Sequence, residues 1–176
     1  PKNSAITLDA GTLCLQATDA LEYYNPPSLF TPLDFGLVGF SFACGLGVKV
    51  ARPDKTVVSL MGDGGFGMTI SELSTAVQYK INTITIVMNN NSWGAEKAYQ
   101  KDFFGKRYIG TDINSPPFHK IAQLYGAKGF EVNKVSEVNE ALKAALKCNN
   151  PAVINVNVDP KALYSFRRDS FTHRKK

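Results

Sequence analysis

Along the chain, short uncharged runs of β-branched and apolar residues alternate with stretches whose apolar positions recur every three or four residues. Ala5 to Leu8, Val57 to Met61, Thr83 to Met88, Lys128 to Val132 and Ala152 to Val158 are strand candidates, and the uncharged ones read as buried strands of a parallel sheet. Helices are expected over Leu13 to Tyr23, Trp93 to Lys101, Phe118 to Tyr125 and Ser136 to Leu146, the last with Val138, Leu142 and Ala145 on one side. Between the second and third strands, Ile70, Leu73, Ala76 and Val77 repeat at helical spacing from Thr69-Ile70-Ser71-Glu72, which has the form of a capping box. Asn25-Pro26-Pro27 stops the first helix, because proline lacks the amide donor and restricts the residue before it. Ser28 to Asp34 reads as loop and Arg52 to Lys55 as a turn. Gly36 to Val48 is apolar on every face, so a buried helix is expected there, with glycines that let another backbone come close. Phe104 to Pro117 has glycines and prolines that break any period, and loops of that length are uncommon unless functional. The alternation predicts an α/β domain with a mostly parallel sheet and helices on both faces.

Two strand ends carry the chemistry. In a strand-helix-strand unit both strands run the same way. Asp63, in Gly62-Asp63-Gly64-Gly65, and Asn90, in Asn89-Asn90-Asn91-Ser92, therefore fall just beyond the carboxyl ends of two strands expected to be neighbours. Open α/β sheets bind ligands there. Gly62 to Gly67 also fits the dinucleotide pattern G-x-G-x-x-G, but that fold needs an acidic residue about 20 positions later, and the next strand ends in asparagines. Asp63 would moreover point a carboxylate at a pyrophosphate. A divalent cation removes the conflict: one carboxylate, one amide oxygen and a backbone carbonyl, completed by diphosphate oxygens and water, form an all-oxygen set suited to Mg²⁺. For Asp63 the competing reading is a turn aspartate, since Asp-Gly is a common turn pair. Asn90 tells against it.

Composition narrows the setting. The chain has 176 residues, 44% hydrophobic and 20% charged, as expected for one globular domain with a core. Its net charge of +5 gathers at Arg167, Arg168, Arg174, Lys175 and Lys176, so residues 161–176 read as a solvated basic tail after a domain over 1–160, not as a nucleic-acid surface. Phe35 to Val48 is too short and glycine-rich for a membrane span, which needs roughly 18 apolar residues. No signal-peptide pattern follows Pro1, and Cys14, Cys44 and Cys148 form neither a disulfide framework nor a zinc pattern, so a reducing, cytoplasmic compartment is expected. Beginning at Pro1 almost within a strand, the chain reads as a piece of a longer polypeptide or a processed subunit. His119 and His173 lack a partner at ligand spacing and are expected at the surface.

Gly62-Asp63-Gly64, followed one strand-helix-strand unit later by Asn89-Asn90, resembles the metal and diphosphate motif of the thiamine diphosphate enzymes, and the likeness runs from about Ala5 to Asp159. The resemblance implies the thiamine diphosphate-binding fold, with thiamine diphosphate and Mg²⁺ as cofactors. It implies Asp63 and Asn90 as side-chain ligands of the metal, the Ser92 carbonyl as a third, and the amides of Gly64 and Gly65 on the diphosphate. Gly11-Thr12 resembles the family's other diphosphate turn. Asp34 to Gly39 resembles the segment in which a glycine carbonyl, here assigned to Gly36, meets the aminopyrimidine and a bulky residue props the bent cofactor. Val38 takes the prop position and is smaller than its counterpart in some members. Trp93 is assigned first to core packing and second to cofactor or substrate contact.

Within the family, Ser92 to Lys97 with Gln100 and Asp102-Phe103, and Phe166-Arg167-Arg168-Asp169, resemble the sulfoacetaldehyde acetyltransferases, which use phosphate to release acetyl phosphate and sulfite. Ala51-Arg52-Pro53-Asp54 also suits the neighbouring acetolactate synthases, and a non-catalytic cofactor-binding module is a further alternative. For a small anionic substrate, Lys97, Arg107, Arg167 and Arg168 are the candidate contacts, each weighed against an ordinary surface cation or ion pair. The family's activating glutamate belongs to a separate pyrimidine-binding domain. Glu22, Glu72 and Glu96 fall in helices of the diphosphate domain and do not take that role. The resemblance thus implies pyrimidine-binding and central domains supplied in cis or in trans, and a homodimer or tetramer of the full enzyme.

Overall fold

The computed structural model describes residues 1–32 and 34–165. Six strands, β1 (Ser4–Leu8), β2 (Leu29–Phe30), β3 (Thr56–Gly62), β4 (Ile84–Asn89), β5 (Lys128–Val132) and β6 (Ala152–Asn157), form one parallel sheet in the order β2-β1-β3-β4-β6-β5. From β1 the chain steps outward to β2 and then crosses back to β3 on the other side, which makes the β1/β3 carboxyl ends a topological switch point. Leu60 pairs with Leu8 and Gly62 with Met88, so the residues after β1, β3 and β4 emerge side by side. The expected parallel α/β architecture is the observed one.

Period-two alternation sends each strand's side chains to two separate cores. Helix α2 (Phe40–Ala51) covers one face with α3 (Asp63–Thr69), α4 (Leu73–Gln78) and α6 (Phe118–Leu124), around Phe42, Met61, Phe66, Val87, Phe118 and Val153. Helices α1 (Thr12–Ala20) and α7 (Val138–Lys147) cover the other, over Leu8 and Leu60 and over Ile84 and Ile154 respectively. Within the first core Phe66 meets Phe42 and Phe118 edge-on, at centroid separations of 5.3 and 5.1 Å. That geometry suits ring quadrupoles. Helix α2 comes close to the sheet because Gly45 faces Ser59, where any Cβ would collide with the hydroxyl. The polar atoms trapped below satisfy one another: Ser41 Oγ donates to the Thr7 carbonyl (2.8 Å), Thr7 Oγ1 to Ser59 Oγ (2.9 Å) and Ser59 Oγ to the Ser41 carbonyl (3.2 Å).

Several local expectations are corrected. The capping box at Thr69 does not form: the chain is already helical from Asp63, Thr69 closes α3 just before a 3₁₀ turn, and its side chain makes no capping hydrogen bond. Its hydroxyl is buried without a partner, and Glu72, in a 3₁₀ turn at Ile70–Glu72, accepts from Thr75 Oγ1 instead (2.9 Å). The apolar run Gly36 to Val48 is helical only from Phe40, because Gly36 and Gly39 take left-handed backbone. Phe35, at 90% exposure, and Leu37 lie open, and α2 buries only one side, leaving Val50 outward. Helix α1 ends at Ala20, so Glu22 follows it, and the loop after Pro27 contains the two-residue β2. His119 is buried, not at the surface, with 7% exposed. Gly129 in β5 leaves room for the His119 backbone, which draws the start of α6 against the sheet. His173 lies outside the described residues. Among the described residues no helix is long and apolar enough to cross a membrane.

Candidate functional site

A cleft of about 490 Å³ opens at the carboxyl ends of β1, β3 and β4, within the size range of ligand pockets. Its first wall follows β1. Asp9 is buried, with Oδ2 accepting the Gly39 N–H and Oδ1 the Ser41 N–H, each at 3.0 Å. Burial raises its carboxyl above the ordinary aspartate value, and the amides of Gly39 and Ser41 pull in the opposite sense. This clamp fixes the Gly36–Gly39 loop beside the cleft. Gly11 turns at φ 122° into Thr12, a conformation that favours glycine.

The second wall is the start of α3. A Cβ on Gly64 would lie 2.5 Å from the Trp93 ring, and one on Gly65 would collide with Asp9 Oδ2. Only glycine fits at either place, and both backbones line the cleft. Asp63 is 2% exposed. Its carboxyl is raised chiefly by burial, against the pull of the Ser115 hydroxyl and of the backbone amides of Gly64 and Asn90. Ser115 Oγ donates to Asp63 Oδ2 at 2.6 Å.

After β4 the asparagines divide their roles. Asn89 turns into the sheet and donates to Asn155 Oδ1 (3.1 Å), while Asn90 lines the cleft and its Oδ1 accepts the Ser92 N–H (3.2 Å). Ser92 is buried with its hydroxyl unpartnered. Trp93 packs on Gly64 and lines the cleft.

Gly11, Thr12, Gly36, Val38, Asp63, Gly64, Gly65, Asn90, Ser92 and Trp93 thus come together on one cavity. The two described cationic candidates do not. Lys97 is paired with Asp112 and sits 5.5 Å over the Tyr108 ring, off the lining; Arg107 is exposed on the loop after α5 (Gly94–Phe103). Arg167 and Arg168 lie outside the described residues. Sequence reasoning missed Asp9, Glu96 and Tyr99 on the lining and Ser115 behind Asp63. Asp9 had a signal, an aspartate just before a glycine turn at a strand end. Ser115, 52 residues from Asp63, had none.

The donor set can be tested for a metal. Among the described residues no group of three or more His, Cys, Asp or Glu side chains is placed to hold an ion. Asp63, Asn90 and Ser92 offer oxygen only, which fits Mg²⁺, an ion held by one or two carboxylates together with phosphate oxygens and water.

Fold and cleft define a class: an α/β domain that presents glycine turns and a buried carboxylate at a sheet switch point, suited to a diphosphate-bearing cofactor. Residues 9–156 match the thiamine pyrophosphate enzymes in their C-terminal TPP binding domain, and the chain belongs to that family. It is 33% identical over 176 residues to the sulfoacetaldehyde acetyltransferase of Castellaniella defragrans, covering 98% of this chain and 29% of that protein. To a probable acetolactate synthase large subunit of Methanococcus aeolicus it is 34% identical over 165 residues, covering 93% of this chain and 28% of that one. The thiamine diphosphate-dependent 4-hydroxybenzoylformate decarboxylase of Rhodococcus jostii RHA1 superposes with a TM-score of 0.82 at 28% identity, over 90% of this chain and 30% of that chain. The chain therefore spans less than a third of each of these relatives.

Proposed function

We propose that this chain is the diphosphate-binding part of a thiamine diphosphate- and Mg²⁺-dependent sulfoacetaldehyde acetyltransferase, which converts sulfoacetaldehyde and phosphate to acetyl phosphate and sulfite. The observation that carries the cofactor reading is the convergence of Asp63, Asn90 and the Gly64–Gly65 backbone on one cleft. In this reading Asp63, Asn90 and the Ser92 carbonyl hold the metal, and the amides of Gly64 and Gly65 with the Gly11–Thr12 turn hold the diphosphate. Gly36 accepts from the aminopyrimidine, and Val38 supports the bent cofactor. Bound thiamine diphosphate supplies the carbon centre that stabilises a carbanion, while protein supplies orientation and electrostatics. Trp93 and the Asp9-clamped loop border that space and limit water.

The tetrahedral oxyanions of both substrates call for fixed cations. Lys97 is committed to Asp112, so Arg107 and the undescribed Arg167 and Arg168 carry that part of the proposal. The activating glutamate comes from a pyrimidine-binding domain in cis or in trans, at the interface of a homodimer or tetramer. A reducing cytoplasmic setting accompanies the reading and fits the free Cys14, Cys44 and Cys148. Acetolactate synthesis is the second reading, favoured by the 34% identity to the Methanococcus aeolicus protein.

The test is to titrate the full natural protein with thiamine diphosphate, with Mg²⁺ or with chelator, and to assay sulfite release from sulfoacetaldehyde and phosphate. Mg²⁺-dependent binding with sulfite release is expected. Binding with acetolactate formed from pyruvate and no sulfite would establish the second reading; binding with neither product would point to a non-catalytic module.

A further inference from the structure

The loop between α5 and α6 does more than connect them. Its residues Thr111 to Ile113 run antiparallel to the loop after β4: the Trp93 N–H donates to the Thr111 carbonyl (2.8 Å), the Ile113 N–H to the Asn91 carbonyl (3.0 Å), and Ser92 bridges Asp112. The Lys97–Asp112 ion pair ties the same segment to α5. Five residues on from Ile113, Phe118 is buried edge-on against Phe66 of α3. Ser115 hangs between these two anchors, and its hydroxyl donates to Asp63 Oδ2 at 2.6 Å. The strap thus joins the loop after β4 to the start of α3, the two halves of the oxygen set.

We propose that Ser115 is a positioning residue that holds Asp63 to a single outward oxygen and so biases the site toward Mg²⁺ over larger cations. This inference rests on the metal reading given above. A carboxylate with both oxygens free can bind side-on, which suits Ca²⁺ with its 6–8 oxygens at longer distances, whereas Mg²⁺ demands a near-ideal octahedron of single oxygens. With Oδ2 engaged by the Ser115 hydroxyl, Oδ1 is the oxygen left freer for a metal. The hydroxyl also resists rotation of the carboxylate, the role an outer partner plays for a metal ligand.

The experiment is calorimetric titration of the full natural protein with thiamine diphosphate in Mg²⁺, in Ca²⁺ and in chelator, for the natural residue, Ser115→Ala and Ser115→Thr. In Ser115→Ala, Mg²⁺-supported affinity should fall about tenfold, the lower end for loss of such a partner. Ca²⁺-supported affinity should hold or rise, and Ser115→Thr, which keeps the hydroxyl, should restore the natural Mg²⁺ preference. If Ser115→Ala fails to fold, Ser115→Cys, of similar size and weaker as a donor, should show the same shift in preference. An equal loss with both ions, or no change with either, overturns the role of Ser115. If instead the unaltered protein binds the cofactor equally well in chelator, the metal reading itself falls, and this inference with it.

Discussion

Trp93 lies so close over Gly64 that a Cβ on the glycine would sit 2.5 Å from the ring. The loop after β4 and the start of α3 are therefore built against each other, and the contact sets how wide the cleft stands. Gly64→Ala should push the indole out of place, at a cost of about 1–3 kcal/mol for overpacking. The single tryptophan of this chain gives a direct readout: its emission should shift to the red and thiamine diphosphate affinity should drop. An unchanged spectrum would mean that the ring is free to move and does not gauge the cleft.

Asp63 tests the metal assignment from the opposite direction. Its carboxyl is buried and raised by desolvation, so in the absence of metal it opposes folding. Asp63→Asn should leave chelated protein as stable as before, or more so, while Mg²⁺-dependent cofactor binding disappears. Urea unfolding with chelator and calorimetry with Mg²⁺ measure the two effects separately. Retained Mg²⁺-dependent binding would remove Asp63 from the ligand set.

Phe66 links the site to the core, two residues beyond Gly64 and between the rings of Phe42 and Phe118. Truncation to alanine should cost about 3–5 kcal/mol, the usual range for a buried aromatic. It should also loosen α3, so cofactor affinity is expected to fall in protein that remains folded. A loss under 1 kcal/mol by urea denaturation, on the order of a tolerated volume change, would show that the core closes around the gap.

These three positions differ in how legible they were. The strand ends could be read because Gly62-Asp63-Gly64 and Asn89-Asn90 interrupt uncharged β-branched runs, and such runs report burial directly. The start of α3 could not, since glycine is a poor helix former. What calls for glycine at 64 and 65 is close approach to Trp93 and Asp9, residues distant in sequence. His119 looked like a surface residue because its burial depends on Gly129 in another element. Leu37 misled in the other sense: the run Gly36 to Val48 is expected to be helical and buried, but left-handed Gly36 and Gly39 hold its start open beside the cleft. Ser115 reached Asp63 through a loop without any period at all.

Asp9 leads to a prediction about pH. Burial raises its carboxyl in the folded state above the ordinary 3.8, although the Gly39 and Ser41 amides favour the charged form. In the window between 3.8 and the raised folded value, the folded protein binds more protons at this site than the unfolded chain does. Stability from Asp9 is then fully present below the ordinary value and is lost as pH rises through the folded one. Measured by urea unfolding from pH 4 to 7, the stability of the natural protein relative to Asp9→Asn should decline with rising pH and level off above the folded value. A flat difference would mean that Asp9 titrates as it does in the unfolded chain, and a rising one that its amides outweigh its burial. Asparagine keeps one acceptor oxygen of the two, so at any pH the variant should release either Gly39 or Ser41. That release has a functional consequence: faster amide hydrogen exchange at Gly39 or Ser41, together with weaker cofactor binding, is expected if the carboxylate is retained at neutral pH to hold the Gly36–Gly39 loop against the cleft.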